Sequence, residues 1–164
     1  AGASSPHARP CLARGPSGKW AMEPLAPWAD AAPRLVAVAA GRAPADLVVR
    51  GARVVSVHTR EVLPWEVAVA AGRFAYVGPD ASHCLGEGTE VVEAGGRFLL
   101  PGLMDGHMHV ESGMLTPAGF AAAVLPHGTT AMMCDPHEIA NVLGLDGVRM
   151  MRDEARLQPC LMLM

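Results

Sequence analysis

The chain has 164 residues, of which 51% are hydrophobic and 18% are charged, and its formal net charge is −3. A chain this apolar is not intrinsically disordered, and it is long enough to bury a substantial core. The charge balance gives no basic face that would bind nucleic acid or an anionic membrane surface. No apolar run is long enough to span a bilayer, and the start lacks the apolar core of a secretory signal, so we expect a cytoplasmic protein.

The spacing of the cysteines argues against a structural zinc site. Cys11, Cys84, Cys134 and Cys160 are far apart in the chain and form no CxxC pair. Cys134 and Cys160 lie in apolar stretches, which suits buried free thiols in a reducing cytosol. The cysteines therefore agree with a cytoplasmic location.

The first hundred residues change from a Pro- and Gly-rich segment to short strands. Residues 1–33 show little periodicity, so we expect them to be disordered or an upstream segment outside the folded protein. A short helix is predicted over 34–41, ending at Gly41. Short β-branched runs then predict strands over 46–50, 53–57, 66–70, 73–77, 90–94 and 97–100, with a hairpin turn at Ala71-Gly72. Residues 34–100 are therefore predicted to form an N-terminal β-rich domain.

After Pro101, strands alternate with helices. Buried strands are predicted over 103–109 and 129–134 and from Cys160, and helices from Thr116-Pro117, over 139–143 and from Asp146. Thr116 is an N-cap residue, and Pro117 takes the first helical position. This β-α-β-α-β order predicts parallel strands joined by helices, so residues 101–164 are predicted to be an α/β unit.

Polar side chains that suit metal binding follow two of these strands, and in β/α folds functional groups gather at the carboxyl ends of strands. The first cluster is His107, His109 and Glu111, and the second is Asp135, His137 and Glu138. Because side chains alternate along a strand, Asp105, His107 and His109 are predicted to share one side. A mixed imidazole and carboxylate set suits Zn²⁺, Mn²⁺ or Fe²⁺, and such an ion lowers the pKa of bound water to about 7.

Each of these residues also has a plainer explanation. A His-x-His pair on a strand can arise by chance, and Asp105 is expected to hold loop backbone or orient a histidine rather than to bind an ion. For Glu111 three roles stay open: a metal ligand, a substrate contact, or a solvated loop acid. The plainest role for Ser112 is to cap a turn or helix. Asp135 alternatively caps the following turn, and His137 alternatively is an ordinary loop histidine.

Four stretches carry a resemblance to known proteins. PGLMDGHMH at 101–109 resembles the PGxxDxHxH first barrel strand of the amidohydrolase superfamily. HMHVESGMLTP at 107–117, LPHGTT at 125–130 and DPHEIANVLG at 135–144 are more specific, and together they resemble the bacterial adenine deaminase family. The stretch 39–55 resembles the start of the same family, so the likeness covers residues 34–164.

The resemblance implies a (β/α)₈ barrel, truncated here to its first three strands, and a β-sandwich built from both chain ends. It implies hydrolysis of adenine to hypoxanthine and ammonia in purine salvage, with activated water attacking C6 and a proton passing to the leaving amine. It also implies a divalent metal, Mn²⁺ or Fe²⁺ with Zn²⁺ as an alternative, and a homo-oligomer when the protein is full length. By the same resemblance His107 and His109 match metal ligands, and Glu111, Asp135, His137 and Glu138 match positions near the site; we add Ser112 to this group and expect Asp105 to support a ligand.

The length of the chain leaves other functions open. A barrel of this kind takes about 250 residues, so further ligands and the catalytic acid/base are expected on later strands that this chain does not contain. Ser112-Gly113 stands where the family often has paired serines. The alternatives are another cyclic amide or amidine hydrolase of the superfamily, of dihydroorotase or hydantoinase type, and a fragment that is catalytically silent by itself.

Overall fold

The computed structural model describes residues 10–14, 20–24 and 27–164. These residues divide into two compact units, one that ends at Pro101 and one that runs from Gly102 to Met164. No helix in the described ranges combines the length and the apolar character that a membrane crossing requires.

The first unit is built mainly of short strands. They are β1 (Pro10–Arg14), β2 (Trp20–Pro24), β3 (Leu47–Arg50), β4 (Arg53–Ser56), β5 (Glu61–Leu63), β6 (Glu66–Ala70), β7 (Arg73–Gly78), β8 (Glu90–Glu93) and β9 (Phe98–Leu99), with one helix, α1 (Trp28–Ala39). β1 pairs with β2, and the other strands form two sheets in the orders β7-β6-β3-β8 and β5-β4-β9. The six predicted strands are confirmed, whereas the short strand β5 was not predicted.

The predicted hairpin is confirmed as β6 and β7. Ala71 and Gly72 join the two strands, and both have positive φ, 50° and 69°. A two-residue turn with positive φ at both positions has the twist that antiparallel strands need. The carboxylate of Asp46 accepts the backbone N–H of Ala71 at 2.7 Å, which ties the turn to the start of β3.

The prediction for the start of the chain is wrong in part. α1 begins at Trp28, six residues before the predicted start, so residues 28–33 are helical rather than disordered. Pro33 lacks a backbone donor and obscured the pattern, but Ala31, Leu35 and Val38 share one face and are buried in the core of this unit. Residues 10–14 and 20–24, also predicted to be disordered, pair as antiparallel strands. The rest of 1–26 lies outside the described residues.

The second unit has the predicted β-α-β-α-β order. Its strands are β10 (Leu103–Met108), β11 (Thr129–Cys134) and β12 (Leu161–Leu163), and its helices are α2 (Pro117–Val124) and α3 (His137–Ala155), with 3₁₀ turns at Glu111–Gly113 and Leu125–His127. The three strands are parallel, and β11 lies in the middle. Thr116 caps α2 as predicted, because its side chain accepts the N–H of Gly119 at 3.4 Å.

The core of the second unit lies on one face of the sheet. Met132 is 1% exposed and packs in one cluster with Val110, Ala121 and Met151. Cys134 and Cys160 join this cluster as free, buried thiols, as predicted. The prediction of a buried strand is wrong for β10, an edge strand whose Met104 is 74% exposed, and it is wrong in part for β11, whose Met133 is 49% exposed.

A break at Gly144 divides α3 into two segments, in agreement with the two predicted helices. Gly144 has φ 61° and ψ −149°, a conformation that only glycine adopts without strain. The break lets the second segment fold back, so Gly147 lies against Ile139 and Leu143, where an added Cβ would come within 2.9 Å of both residues.

Gly144→Ala is therefore expected to destabilise the protein by about 1–3 kcal/mol, because this backbone conformation is strained for alanine. The free energy of unfolding in urea measures the change. Gly113→Ala is the matched control, since its φ is not positive and its new Cβ would meet only Leu115 at an ordinary 3.8 Å. Equal effects of the two substitutions would contradict the backbone explanation.

Candidate metal centre

The end of β10 brings two imidazoles together. The Nε2 atoms of His107 and His109 are 3.0 Å apart, and their rings meet edge to face with centroids separated by 4.7 Å. The pairing of β10 with β11 is irregular between Asp105 and Met108, so strict alternation does not hold here. The side chain of Asp105 forms a hydrogen bond with the main chain: its Oδ1 accepts the N–H of His107 at 3.0 Å. It therefore supports the loop and does not join the imidazoles.

The main chain of Asp135 fixes the orientation of His109. The Nδ1 atom of His109 lies 2.8 Å from the carbonyl oxygen of Asp135. A carbonyl only accepts hydrogen bonds, so Nδ1 carries the proton and Nε2 keeps its lone pair. A main-chain carbonyl that holds the far nitrogen of a histidine is the usual support for a metal ligand. The N–H of Asp135 in turn donates to the carbonyl of Met108 at 2.9 Å, which fastens the two strand ends together.

The side chain of Asp135 completes the group. The ligand atoms of His107, His109 and Asp135 all lie within 4.8 Å of one another. The other carboxylate contact of Asp135 is with His137, whose Nδ1 donates to Oδ2 at 3.1 Å. His137 also stacks edge to face on His109, with centroids 4.6 Å apart. Two parallel strand ends thus contribute to one polar cluster.

The remaining predicted site residues face the start of α3. Oε1 of Glu111 accepts the N–H of Ile139 at 3.3 Å, in the first turn of that helix. The hydroxyl of Ser112 donates to the carboxylate of Glu138. These three polar side chains therefore join the turn after β10 to the helix after β11, beside the imidazole pair rather than within it.

An open cleft of about 440 Å³ lies over the imidazole pair. It is lined by His107, Met108, His109, Ser112, Gly113 and Phe120. Its floor is polar at the imidazoles, and Phe120 and Met108 supply apolar contact area. A small planar molecule can lie in such a cleft with one edge against the imidazoles.

The buried thiol beneath the site is not available as a ligand at rest. Burial is the main cause that raises the pKa of Cys134 to about 11, and the neighbouring Cys160, followed by the charges of Glu111 and Asp105, adds to the effect. The thiol is therefore protonated at neutral pH and packs as a small apolar group. The donor set is accordingly imidazole and carboxylate.

The geometry of the cluster fits a divalent ion. Ligands at about 2.0–2.1 Å from one ion and at tetrahedral angles lie about 3.3 Å apart. The 3.0 Å separation of the two Nε2 atoms is close to this value. One nitrogen has its lone pair fixed toward the other, and a carboxylate stands within reach of both. Zn²⁺, Mn²⁺ and Fe²⁺ all accept such a set.

Sequence reasoning missed two contributors to the site. The carbonyl of Asp135 orients His109, but a main-chain group leaves no signal in the residue pattern. Phe120 of α2 also lines the cleft, and its place there depends on how α2 packs beside the strand ends. The sequence did offer one signal for it: Phe120 is an aromatic residue one helical turn after the helix start at Thr116-Pro117.

Comparison with known proteins agrees with the motifs. Residues 98–163 match the model of the Amidohydrolase family. The chain is 72% identical over 136 residues to a protein named adenine deaminase from Paracoccus denitrificans, and 67% identical over 141 residues to another from Ruegeria pomeroyi. These alignments cover 82% and 84% of this chain and 23% of each relative. The chain thus spans about a quarter of the length of these relatives, and it is homologous to their N-terminal part.

Among solved structures, an L-hydantoinase (dihydropyrimidinase) from Arthrobacter aurescens is similar at 26% identity and a TM-score of 0.44. That likeness covers 56% of this chain and 20% of the hydantoinase chain.

Proposed function

We propose that this chain is the N-terminal part of a metal-dependent hydrolase that converts adenine to hypoxanthine and ammonia in purine salvage. The observation that carries the proposal is the group of His107, His109 and Asp135 at two neighbouring strand ends. It occurs in a chain that is 57–72% identical to proteins named adenine deaminase. The activity would belong to the whole protein, as a cytoplasmic homo-oligomer that acts on a small purine.

The architecture that we propose for the whole protein is a (β/α)₈ barrel with an attached β-sandwich. Residues 101–164 would supply the first three barrel strands, and residues 34–100 part of the sandwich, with residues 1–33 largely upstream. Exposed apolar residues support this, because Leu103 and Met104 of β10 are 51% and 74% exposed. In the first unit, an apolar cleft of about 390 Å³ lies against Val54 and Leu99. Both surfaces suit coverage by further chain.

In this proposal His107 and His109 bind the ion through Nε2, and Asp135 binds it through its carboxylate. A divalent ion, Mn²⁺ or Fe²⁺ with Zn²⁺ as an alternative, would supply activated water at neutral pH. Asp135 also holds His109 through its carbonyl, so the lone pair of Nε2 points to the ion. His137 is 54% exposed and hydrogen-bonded to Asp135, so it would hold or pass a proton beside the Asp135 carboxylate. Ser112 lines the cleft and donates to Glu138, so this pair would stand near a bound substrate.

Adenine hydrolysis by the full-length protein tests this assignment. Loaded with Mn²⁺, it should release ammonia from adenine, and it should turn over hydantoin and dihydroorotate far more slowly. The same protein stripped by a chelator is the control for metal dependence, and the 164-residue chain assayed by itself should be inactive. No ammonia above the metal-free background, or a preference for the cyclic amides, would reject the assignment.

A further inference from the structure

The start of α3 receives its cap from another element. Pro136 is the N-cap residue of α3 and offers no side-chain hydrogen bond to the helix. The first-turn N–H of Ile139 is instead accepted by Glu111, which belongs to the 3₁₀ turn after β10. A carboxylate at this position satisfies a free helix donor and is favoured by the positive end of the helix.

The N–H that Glu111 caps lies four residues after Asp135, the residue whose carbonyl orients a predicted ligand. Asp135 and Pro136 directly precede the first turn of α3, and the carbonyl of Asp135 holds the Nδ1 of His109. Asp135 is fastened on one side by its N–H bond to Met108. On the other side its position depends on where α3 begins. Glu111 holds that point at the N–H of Ile139, beside the Ser112–Glu138 hydrogen bond that joins the same turn to the helix. A shift of the helix start would move the carbonyl away from His109.

We propose that Glu111 is a positioning residue for the metal centre. It sets the orientation of His109 through the start of α3 and the carbonyl of Asp135. The inference rests on the proposed metal-dependent function, and it gives Glu111 a role distinct from that of a ligand. In agreement with this, Glu111 is not part of the group His107, His109 and Asp135, within the portion of the chain that the structure describes.

The two roles of Glu111 predict different behaviour of its amide variant. Glutamine keeps an oxygen that can accept the N–H of Ile139, but it has no charge to offer an ion. A positioning residue therefore tolerates Glu111→Gln, whereas a ligand does not. Glu111→Ala removes the acceptor and should release the helix start in either case.

Binding of Mn²⁺ alone to the full-length protein tests the proposal, with free Mn²⁺ followed by electron paramagnetic resonance. Glu111→Ala should weaken binding about tenfold, the lower end of what supporting groups of metal ligands contribute. Glu111→Gln should bind close to wild type. Thr116→Ala is the matched control, because it also deletes a side-chain cap of a helix in the same unit, at the N–H of Gly119. It should leave the affinity unchanged.

The outcomes separate this inference from the function on which it rests. If the wild-type protein binds no Mn²⁺, the metal centre itself is wrong. If wild type binds and Glu111→Ala binds equally well, only the positioning role is overturned. If Glu111→Gln is as weak as Glu111→Ala, Glu111 acts through its charge and the proposal fails. An equal loss in Thr116→Ala would assign the effect to general destabilisation and would also overturn it.

Discussion

Replacing His107 by alanine is expected to lower kcat/KM of the full-length protein for adenine by more than about 100-fold, with a parallel loss of bound metal. Removal of a group that only supports a ligand already costs up to about 100-fold, and loss of a ligand should cost more. The Nε2 of His107 lies 3.0 Å from that of His109, so its removal leaves one imidazole and one carboxylate from this chain. Metal content by atomic absorption and ammonia release measure the two effects.

His127→Ala is the matched control for this experiment. His127 is an exposed histidine in the same unit, in the 3₁₀ turn Leu125–His127 that precedes β11. It therefore lies at the amino end of a strand whose carboxyl end carries Asp135. Its replacement should leave both metal content and activity unchanged. Retention of metal and activity by His107→Ala would contradict the proposed ligand.

Asp135→Asn is the second substitution with a large expected effect, again about 100-fold or more in kcat/KM. The asparagine keeps an oxygen that can accept from Nδ1 of His137, and the main-chain carbonyl still holds His109. What it loses is the negative charge that would neutralise a bound cation. The substitution therefore separates the ligand role of Asp135 from its two supporting hydrogen bonds. Mn²⁺ affinity and steady-state kinetics together measure the loss.

Asp105→Asn supplies the comparison. Among the described residues, the side chain of Asp105 accepts the N–H of His107. An asparagine oxygen can do the same, so we expect less than about a tenfold loss. Equal effects of the two Asp→Asn changes would mean that Asp135 is no more than a loop support. In that case the end of β11 would position His109 but would not supply a metal ligand.

The alternation of strands and helices in the second unit was predictable, because apolar runs and helix-start residues alternate in the sequence. The run 129–134 has no alternation and helices on both sides, and it becomes the middle strand of a parallel sheet. The exposure of β10 was not predictable, because it depends on which neighbours cover the strand rather than on its own residues. The early start of α1 was missed because Pro33 interrupts the helical signal, while packing of Ala31 and Leu35 outweighs that interruption.

The candidate site was predictable to the level of its residue types. The spacing of His107 and His109 predicts that their side chains share one side, and their Nε2 atoms are 3.0 Å apart. Asp105 was expected to hold loop backbone, and it accepts the N–H of His107. The placement of the Asp135 carboxylate beside the imidazoles depends on how the two strand ends pair, which no residue pattern reveals. Asp135 accepts hydrogen bonds from His109 at its carbonyl and from His137 at its carboxylate. These two contacts likewise depend on the folded loop.

The most direct test of the account is the anomalous diffraction of crystals of the full-length protein grown with Mn²⁺. We predict an anomalous peak within bonding distance of Nε2 of His107, Nε2 of His109 and the carboxylate of Asp135. Further ligands from the rest of the protein would not affect this prediction. A peak elsewhere, or none at this cluster in crystals of active enzyme, would contradict the proposal that two parallel strand ends of this chain hold the catalytic ion.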